Sequence, residues 1–199
     1  SAGNSDRAVI YAGLRRGGRA IYAIDVTNIA APQMLWKKTG NDLSKLGETW
    51  SEPRVARLKG YVDANQVPKP VVIMGGGYDS ANEDPFTPTS SSLVGNVIYV
   101  FDALSGEKLR EFDLTQVIGT ARSVPADVSL VDADYDGFVD RAYAADVHGN
   151  VYRIDFEVAK TCSPASATCG MTKDDWKLRA VASLSDKTST PNVIRKVFF

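Results

Sequence analysis

Four aspartates spaced around one glycine, between positions 132 and 140, are the residues best suited to chemistry in this chain. Carboxylates at the first, third, fifth and ninth places of a loop, with the backbone carbonyl of the seventh, supply the oxygen ligands that Ca²⁺ prefers. Those ligands here are Asp132, Asp134, Asp136, the carbonyl of Phe138, and Asp140. Gly137 lies at the sixth place, where the chain must turn sharply. The spacing predicts a calcium site.

The loop departs from the EF-hand pattern in its last ligand and its flanks. An EF-hand has a bidentate Glu at the twelfth place, where this chain has Tyr143, and two helices around the loop. The flanking runs 128–131 and 142–145 are short and β-compatible, without helical periodicity. We therefore expect the loop to join two strands, with water or a ligand from elsewhere completing the calcium shell. The alternative is a solvated acidic turn.

A recurring five-residue pattern predicts the elements that position this loop. An apolar residue, Tyr, any residue, Ile or Phe, and Asp occur in that order at 21–25, 98–102 and 151–155, each after a glycine-containing turn. A β-compatible run precedes each turn and another follows each pattern. A further run occurs at 53–58, at 125–130 and again at 191–197. Four strands per repeat are typical of β-propeller blades, which are four-stranded antiparallel sheets.

The predicted fold class is all-β, a partial β-propeller of four-stranded antiparallel blades in a single domain. We place a blade remnant at about residues 7–38, a blade at about 51–114, the calcium-loop blade at about 123–184, and the start of a further blade at about 189–199. Propellers have four to eight blades, so we expect the chain to be part of a larger one. A β-sandwich of the same strands is the alternative fold.

Composition excludes several classes of function. The chain has 199 residues, 24% of them charged, with a formal net charge of −1, so it lacks the basic field that attracts nucleic acid or an anionic membrane. No apolar run is long enough for a transmembrane segment. The N-terminal residues lack the features of a signal peptide, and we expect any export signal to lie outside this sequence. The one histidine, His148, stands beside a turn glycine, which favours a surface role.

The two cysteines, Cys162 and Cys169, lie in a small, polar segment. Without histidine partners they are too few for a zinc site, and their spacing differs from the Cys-x-x-Cys of a redox pair. We predict a disulfide between them, which is typical of the periplasm or the cell surface. Two free thiols are the alternative.

Two other segments could carry function. Three glycines at 75–77 follow an apolar run, but they lack the Lys-Ser/Thr of a phosphate-binding loop, so we interpret them as a structural bend. The segment 78–93, rich in Ser, Asn, Pro and Thr, is long for a hairpin loop. It is either a partner-binding insertion or an irregular surface segment.

Three stretches together resemble the C-terminal domain of the PilC/PilY proteins of type IV pili. They are 17–27, 49–53, and the acidic loop at 131–146 leading into 149–155; the resemblance extends from about residue 9 to the end. It implies a modified β-propeller, a calcium site that influences pilus extension and retraction, and adhesion at the bacterial surface. The implied partners are pilins or minor pilins and a host or abiotic surface. His148 departs from the pattern, and the chain is shorter than the family's domain.

We therefore hypothesise a non-enzymatic, calcium-binding module of a type IV pilus biogenesis and tip adhesion protein, located in the periplasm or at the cell surface. The rival hypothesis is an enzyme, a calcium-dependent quinoprotein dehydrogenase that uses pyrroloquinoline quinone, because its propeller repeats are similar to residues 95–109. Against the enzyme, the cysteines are not adjacent and no paired base is evident. An integrin-like propeller is a third possibility. We also expect self-association through exposed blade edges, with 193–199 as the exposed strand.

Overall fold

Antiparallel β-sheets form nearly all of the regular structure. The computed structural model describes residues 7–84, 93–157 and 171–184. Within these ranges the chain forms three separate sheets, joined by turns and by three very short helices. The predicted all-β class is confirmed.

Each sheet is a meander whose strands are neighbours in chain order. The first contains β1 (Val9–Gly13), β2 (Ala20–Asp25) and β3 (Gln33–Thr39). The second contains β4 (Arg54–Val62), β5 (Pro68–Gly75), β6 (Val97–Asp102) and β7 (Lys108–Asp113). The third contains β8 (Ser129–Val131), β9 (Arg141–Ala145), β10 (Asn150–Asp155) and β11 (Lys177–Ser183). The short helices are α1 (Ser80–Glu83) and two 3-10 turns, Leu114–Gln116 and Lys173–Asp175. Such meanders are the unit of a propeller blade.

The second sheet is the middle layer and is buried on both faces. Val71 and Ile73 of β5 pack in a cluster with the third sheet, whereas Val72 and Met74 pack in a cluster with the first. Successive side chains of a strand point to opposite faces, so a strand covered on both sides is a continuous apolar run. This explains why β6, from Val97 to Asp102, is buried at every position.

Two tryptophans join the outer sheets to the middle one. Trp36 of β3 donates a hydrogen bond from Nε1 to the carbonyl of Ala103, at 2.9 Å. Trp176, just before β11, donates from Nε1 to the carbonyl of Lys59, at 3.0 Å, and packs edge-on against Phe156. Each indole thus fills a gap between sheets with its apolar body and satisfies its N–H at the same time.

A bulge in β4 changes one predicted boundary. The run predicted to end at Leu58 continues to Val62, and the pairing with β5 shifts between Arg57 and Val62. Gly60, with φ of 86°, lies in this bulge against the backbone of Thr172, where an added Cβ would come within 2.9 Å. Only glycine tolerates both that φ and that approach. The bulge places the end of β4 against the segment that leads into β11.

Several predictions lie outside the described residues. They are the disulfide between Cys162 and Cys169, the strand expected at 189–199, and the middle of the 78–93 segment, where 85–92 is not described. In the described ranges, no helix has the length and apolar character needed to span a membrane.

Candidate metal centre

The acidic loop connects β8 to β9 in the third sheet. Asp140 at its end donates its backbone N–H to the carbonyl of Val131, at 2.9 Å, which closes the hairpin. The preceding residue, Val139, donates its N–H to the carbonyl of Arg57 in β4, also at 2.9 Å. The loop is therefore anchored to its own sheet and to the neighbouring one. Strands flank it on both sides, as predicted from the lack of helical periodicity.

Inside the loop, aspartate side chains accept hydrogen bonds from the backbone. Asp132 Oδ2 accepts from the N–H of Gly137, at 3.0 Å, and Asp136 Oδ1 accepts from the N–H of half-buried Phe138, at 2.9 Å. Two residues adopt the left-handed conformation, Tyr135 with φ of 61° and Gly137 with φ of 88°. That conformation is unfavourable for tyrosine by about 1 to 2 kcal/mol. The backbone of the loop is thus bent around its own carboxylates, with Gly137 at the predicted sharp turn.

The predicted ligand side chains converge. Single carboxylate oxygens of Asp132, Asp134 and Asp136 all lie within 4.8 Å of one another. A second group, within the same limit, consists of Asp134, Asp140 and Glu157. Because Asp134 belongs to both groups, five carboxylates form one continuous cluster. Asp140 is its most buried member, with 7% of the residue exposed.

Glu157 is the member that the sequence reasoning missed. It follows the end of β10, and the N–H groups of Phe156 and Glu157 donate to the carbonyl of Asp140, at 2.8 and 3.3 Å. The signal that could have found it is the register of the β9–β10 hairpin, in which Asp155 pairs with Arg141. Two residues beyond Asp155, the chain must then lie beside the end of the acidic loop.

Glu157 is electrostatically crowded. Its contact with Lys59 lowers the pKa of Glu157, but the neighbouring Asp140 carboxyl and partial burial outweigh that contact, so the pKa is raised above its ordinary value. Two carboxylates at hydrogen-bonding distance repel one another unless a proton or a cation lies between them. A proton on Glu157 or a cation between the two carboxylates would relieve the repulsion with Asp140.

Lys59 of β4 supplies one positive charge to the cluster. Its ammonium lies 2.8 Å from Asp136 Oδ2 and 2.7 Å from Glu157 Oε2, and only 11% of its side chain is exposed. Burial alone would lower the pKa of Lys59, but the hydrogen bonds to the two carboxylates raise it above its ordinary value. The same contact lowers the pKa of Asp136. Sequence reasoning did not place Lys59 here, because it belongs to a different repeat.

One carboxylate oxygen has no partner. Asp132 Oδ1 is buried and accepts no hydrogen bond from the described residues. A buried oxygen without a donor costs about 1 to 3 kcal/mol or more when charged. A hard cation with oxygen ligands satisfies such an atom directly, and the cluster contains only oxygen donors. The residues present therefore fit Ca²⁺.

Comparison with known proteins places the fold in a family. The PilY1 beta-propeller domain matches residues 2–186 of this chain. The chain belongs to the PilY1 β-propeller family. The expectation from its resemblance to the PilC/PilY proteins is thereby confirmed.

Curated PilY1 relatives are similar over most of the chain. The type IV pilus biogenesis factor PilY1 of Pseudomonas aeruginosa strain PAO1 is 29% identical over 158 residues, covering 79% of this chain and 12% of the relative. That of strain UCBPP-PA14 is 31% identical over 147 residues, covering 74% and 11%. A PilY1 homolog of Xylella fastidiosa is 26% identical over 160 residues, covering 75% and 10%. The chain thus spans only a small part of the length of these PilY1 proteins.

A solved PilY1 structure has the same fold. The crystal structure of the Pseudomonas aeruginosa PilY1 C-terminal domain is similar with a TM-score of 0.67 and 24% identity, covering 96% of this chain and 39% of that one. Together with the family match and the three antiparallel sheets, this similarity confirms a partial propeller and not a sandwich.

Proposed function

We propose that this chain is a calcium-binding module of a type IV pilus biogenesis and tip adhesion protein. Its ligands are Asp132, Asp134, Asp136, the carbonyl of Phe138, and Asp140. The observation that carries the proposal is the convergence of these carboxylates in the loop of a PilY1-family propeller. Asp132 Oδ1, which accepts no hydrogen bond from the described residues, supports a cation at this position.

The chemistry of the ligands favours calcium over other metals. Zinc sites in proteins use cysteine and histidine, and this cluster has neither. Magnesium requires a small octahedral site and retains several waters, whereas calcium accepts six to eight oxygens in flexible loops. The acidic loop, an aspartate-rich turn, suits calcium better than magnesium. Affinity in the micromolar range or weaker is expected, because the loop has no glutamate at the twelfth place.

The role that we propose for calcium is conformational. The site lies where the β8–β9 loop meets β4, through the bond from Val139 to Arg57. Calcium would order the loop and so change the surface that a partner contacts. In this proposal the module regulates pilus extension, retraction and surface attachment. Its partners are pilins or minor pilins and a host or abiotic surface, in the periplasm or at the cell surface. The similarity to type IV pilus biogenesis factors supports the pilus part of this assignment.

We propose that the module is not an enzyme. A catalytic metal needs an open cavity for substrate beside it. A cleft of about 590 Å³ is lined by Arg15, Trp50 and Tyr78 among others, and in the described part of the chain no residue of the acidic loop lines it. The separation of cleft and carboxylates disfavours the quinoprotein rival. Dye-linked alcohol oxidation after addition of pyrroloquinoline quinone and calcium would contradict the proposal.

Calcium binding is tested by titration calorimetry on the parent chain and on Asp134→Ala. The matched control is Asp63→Ala, in the corresponding hairpin of the second sheet, where Asp63 Oδ1 accepts from the N–H groups of Asn65 and Val67. We expect the parent and Asp63→Ala to bind one calcium ion and Asp134→Ala to lose binding. Equal binding by all three proteins would place the ion elsewhere.

The pilus role is tested in the full-length protein. Bacteria carrying Asp134→Ala should differ from those carrying Asp63→Ala in twitching motility and in the number of surface pili, at equal protein levels. If both variants behave like the parent, calcium in this loop does not regulate pilus extension or retraction.

A further inference from the structure

We propose that Lys59 is the resident counter-ion of the calcium site and that Glu157, which it holds, becomes the calcium ligand missing from the loop. The inference rests on the proposed calcium site and adds two residues from outside the loop. Lys59, which belongs to the neighbouring sheet, would compete with calcium for the oxygens of Asp136 and Glu157.

The position of Lys59 is fixed by the fold. Its carbonyl accepts the indole N–H of Trp176, at 3.0 Å, and Gly60, the next residue, lies against the backbone of Thr172. The backbone at Lys59 and Gly60 is therefore held against the segment that leads into β11. The side chain is only 11% exposed and ends between Asp136 and Glu157. A freely moving surface lysine would not be held in this way.

The charges in the cluster are unbalanced with Lys59 alone. Five carboxylates contribute a formal charge of −5, and among the ion pairs of the described residues Lys59 is the one cation that contacts them. A single ammonium leaves most of the repulsion in place. A divalent cation can neutralise more of this charge and contact more of the oxygens at once.

Lys59 and calcium require the same oxygens. The ammonium N–H groups now use Asp136 Oδ2 and Glu157 Oε2, and two cations side by side would repel one another. For Asp136 to serve as a ligand, Lys59 must move away. A lysine suits this exchange, because its compact charge lies on a flexible stem that can swing toward water.

Glu157 then does what the absent twelfth-place glutamate of an EF-hand does. Its oxygen already lies within 4.8 Å of ligand oxygens of Asp134 and Asp140. Its backbone is tied to the carbonyl of Asp140, so it needs no large movement to join the shell. Release from Lys59 leaves its carboxylate free for a cation. Calcium occupancy is thereby linked to the contact between β4 and the third sheet.

The test uses Lys59→Met, which keeps the apolar stem and removes the charge. We expect calcium to bind Lys59→Met about tenfold more tightly than the parent, a difference of about 1.4 kcal/mol, because the ammonium that competes for the same oxygens is gone. Without calcium, the melting temperature of Lys59→Met should be lower than that of the parent. Lys59→Arg keeps a cation and should bind calcium like the parent. Lys59→Gln replaces Lys59→Met if the latter does not fold.

Two further variants make the test specific. Glu157→Gln should weaken calcium binding about tenfold, as expected when a bidentate carboxylate is reduced to one amide oxygen. Lys69→Met is the matched lysine control, because Lys69 pairs with Asp102 in the second sheet, away from the loop. It should lower the melting temperature and leave the calcium affinity unchanged.

The outcomes separate this inference from the proposed function. If the parent binds calcium and Asp134→Ala does not, but Lys59→Met binds no more tightly than the parent, the counter-ion role is overturned and the calcium site stands. An unchanged affinity in Glu157→Gln overturns its role as ligand. If the parent shows neither binding heat nor a shift in melting temperature, the proposed calcium site itself fails.

Discussion

The first hairpins of the second and third sheets occupy the same place in their sheets and differ in the charge that they concentrate. In the β4–β5 hairpin, Asp63 alone organises the turn, accepting hydrogen bonds from the N–H groups of Asn65 and Val67, at 2.8 and 2.9 Å. The β8–β9 hairpin has four aspartates within nine residues. One carboxylate is sufficient for a turn. All four aspartates of the acidic loop accept a backbone N–H, but together they concentrate more negative charge than a turn needs, and the proposed cation accounts for that charge.

The backbone allows the two hairpins to be aligned residue by residue. Ala103 donates to the carbonyl of Pro70, at 3.1 Å, just as Phe156 donates to the carbonyl of Asp140, at 2.8 Å. Proline in the second sheet thus stands where the third sheet has a ligand. The next residue after each donor is Leu104 in the second sheet and glutamate in the third. The carboxylates at both places are specific to the third sheet.

The aspartate that ends the recurring five-residue pattern is structural in both sheets. In the second sheet, Asp102 accepts from Tyr61 and pairs with Lys69, both at about 2.6 Å or less. In the third, Asp155 pairs with Arg153 and Arg179, at 2.9 and 3.0 Å. What repeats between the sheets holds the blade together. The carboxylates that do not repeat carry the proposed function.

The largest effect is expected from removing the lysine of the second sheet. Burial alone would raise the pKa of Asp102, but hydrogen bonds from Lys69 and Tyr61 lower it well below its usual range. Lys69→Met removes the cation from a buried carboxylate that keeps its hydrogen bonds from Tyr61 and from the backbone N–H groups of Leu104 and Ser105, which costs on the order of 3 kcal/mol. Urea unfolding at pH 7 should show this loss with or without calcium. If calcium restored the lost stability, the Lys69–Asp102 pair and the acidic loop would not be energetically independent.

The same ion pair predicts the direction in which the free energy of unfolding changes with pH. The pKa of Asp102 is lowered in the folded state, so its stabilisation is present above the unfolded value of about 3.9 and disappears as pH falls through the folded value. The stability difference between parent and Lys69→Met should therefore be smaller at pH 3 than at pH 7. A difference that grows on acidification would exclude Asp102 as its source.

Calcium should give the next largest effect, confined to the third sheet. At a hundred times the dissociation constant, binding adds about 2.7 kcal/mol of stability, which for a chain of this size is roughly 5 to 10 °C in melting temperature. Magnesium should give little. The measurement is thermal unfolding with calcium, magnesium or chelator, on the parent and on Asp134→Ala. If chelator leaves the melting temperature of the parent unchanged, the acidic loop does not differ from the β4–β5 hairpin in binding calcium.

A smaller effect is expected from making the third sheet resemble the second. Glu157→Leu introduces the residue found at the aligned position, Leu104. It should weaken calcium binding about tenfold, close to 1.4 kcal/mol, and should relieve the repulsion with Asp140 when calcium is absent. This relief offsets the lost contact between Glu157 and Lys59, so the chelated protein should lose little stability. Leu104→Ala is the control at the aligned position and should not change calcium affinity.

The features of the acidic loop that lie close together in the sequence could be predicted. Those that depend on pairing between distant segments could not. The aspartate spacing and the turn at Gly137 were readable because all of their residues lie within nine positions. Glu157 reaches the cluster through the β9–β10 register, and Lys59 through a bulge in another sheet. Neither residue can be found from the spacing of residues that are close together in the sequence. The ligand set remains a prediction, as do the disulfide and self-association through blade edges.

Each of the two hairpins contains a glycine with a left-handed backbone. Gly60 and Gly137 have nearly the same φ, 86° and 88°, but an added Cβ at Gly60 would meet the backbone of Thr172 within 3 Å, whereas at Gly137 it would meet nothing within 4 Å. Alanine at Gly137 should therefore cost only the conformational term, about 1 kcal/mol, and at Gly60 a further steric cost of similar size. Gly137→Asn, which tolerates this conformation, should cost less than Gly137→Ala. Chemical unfolding in chelator measures all three. Equal losses at the two glycines would mean that β4 and Thr172 can separate easily, and the link between the calcium loop and the neighbouring sheet would then be weaker than the contacts indicate.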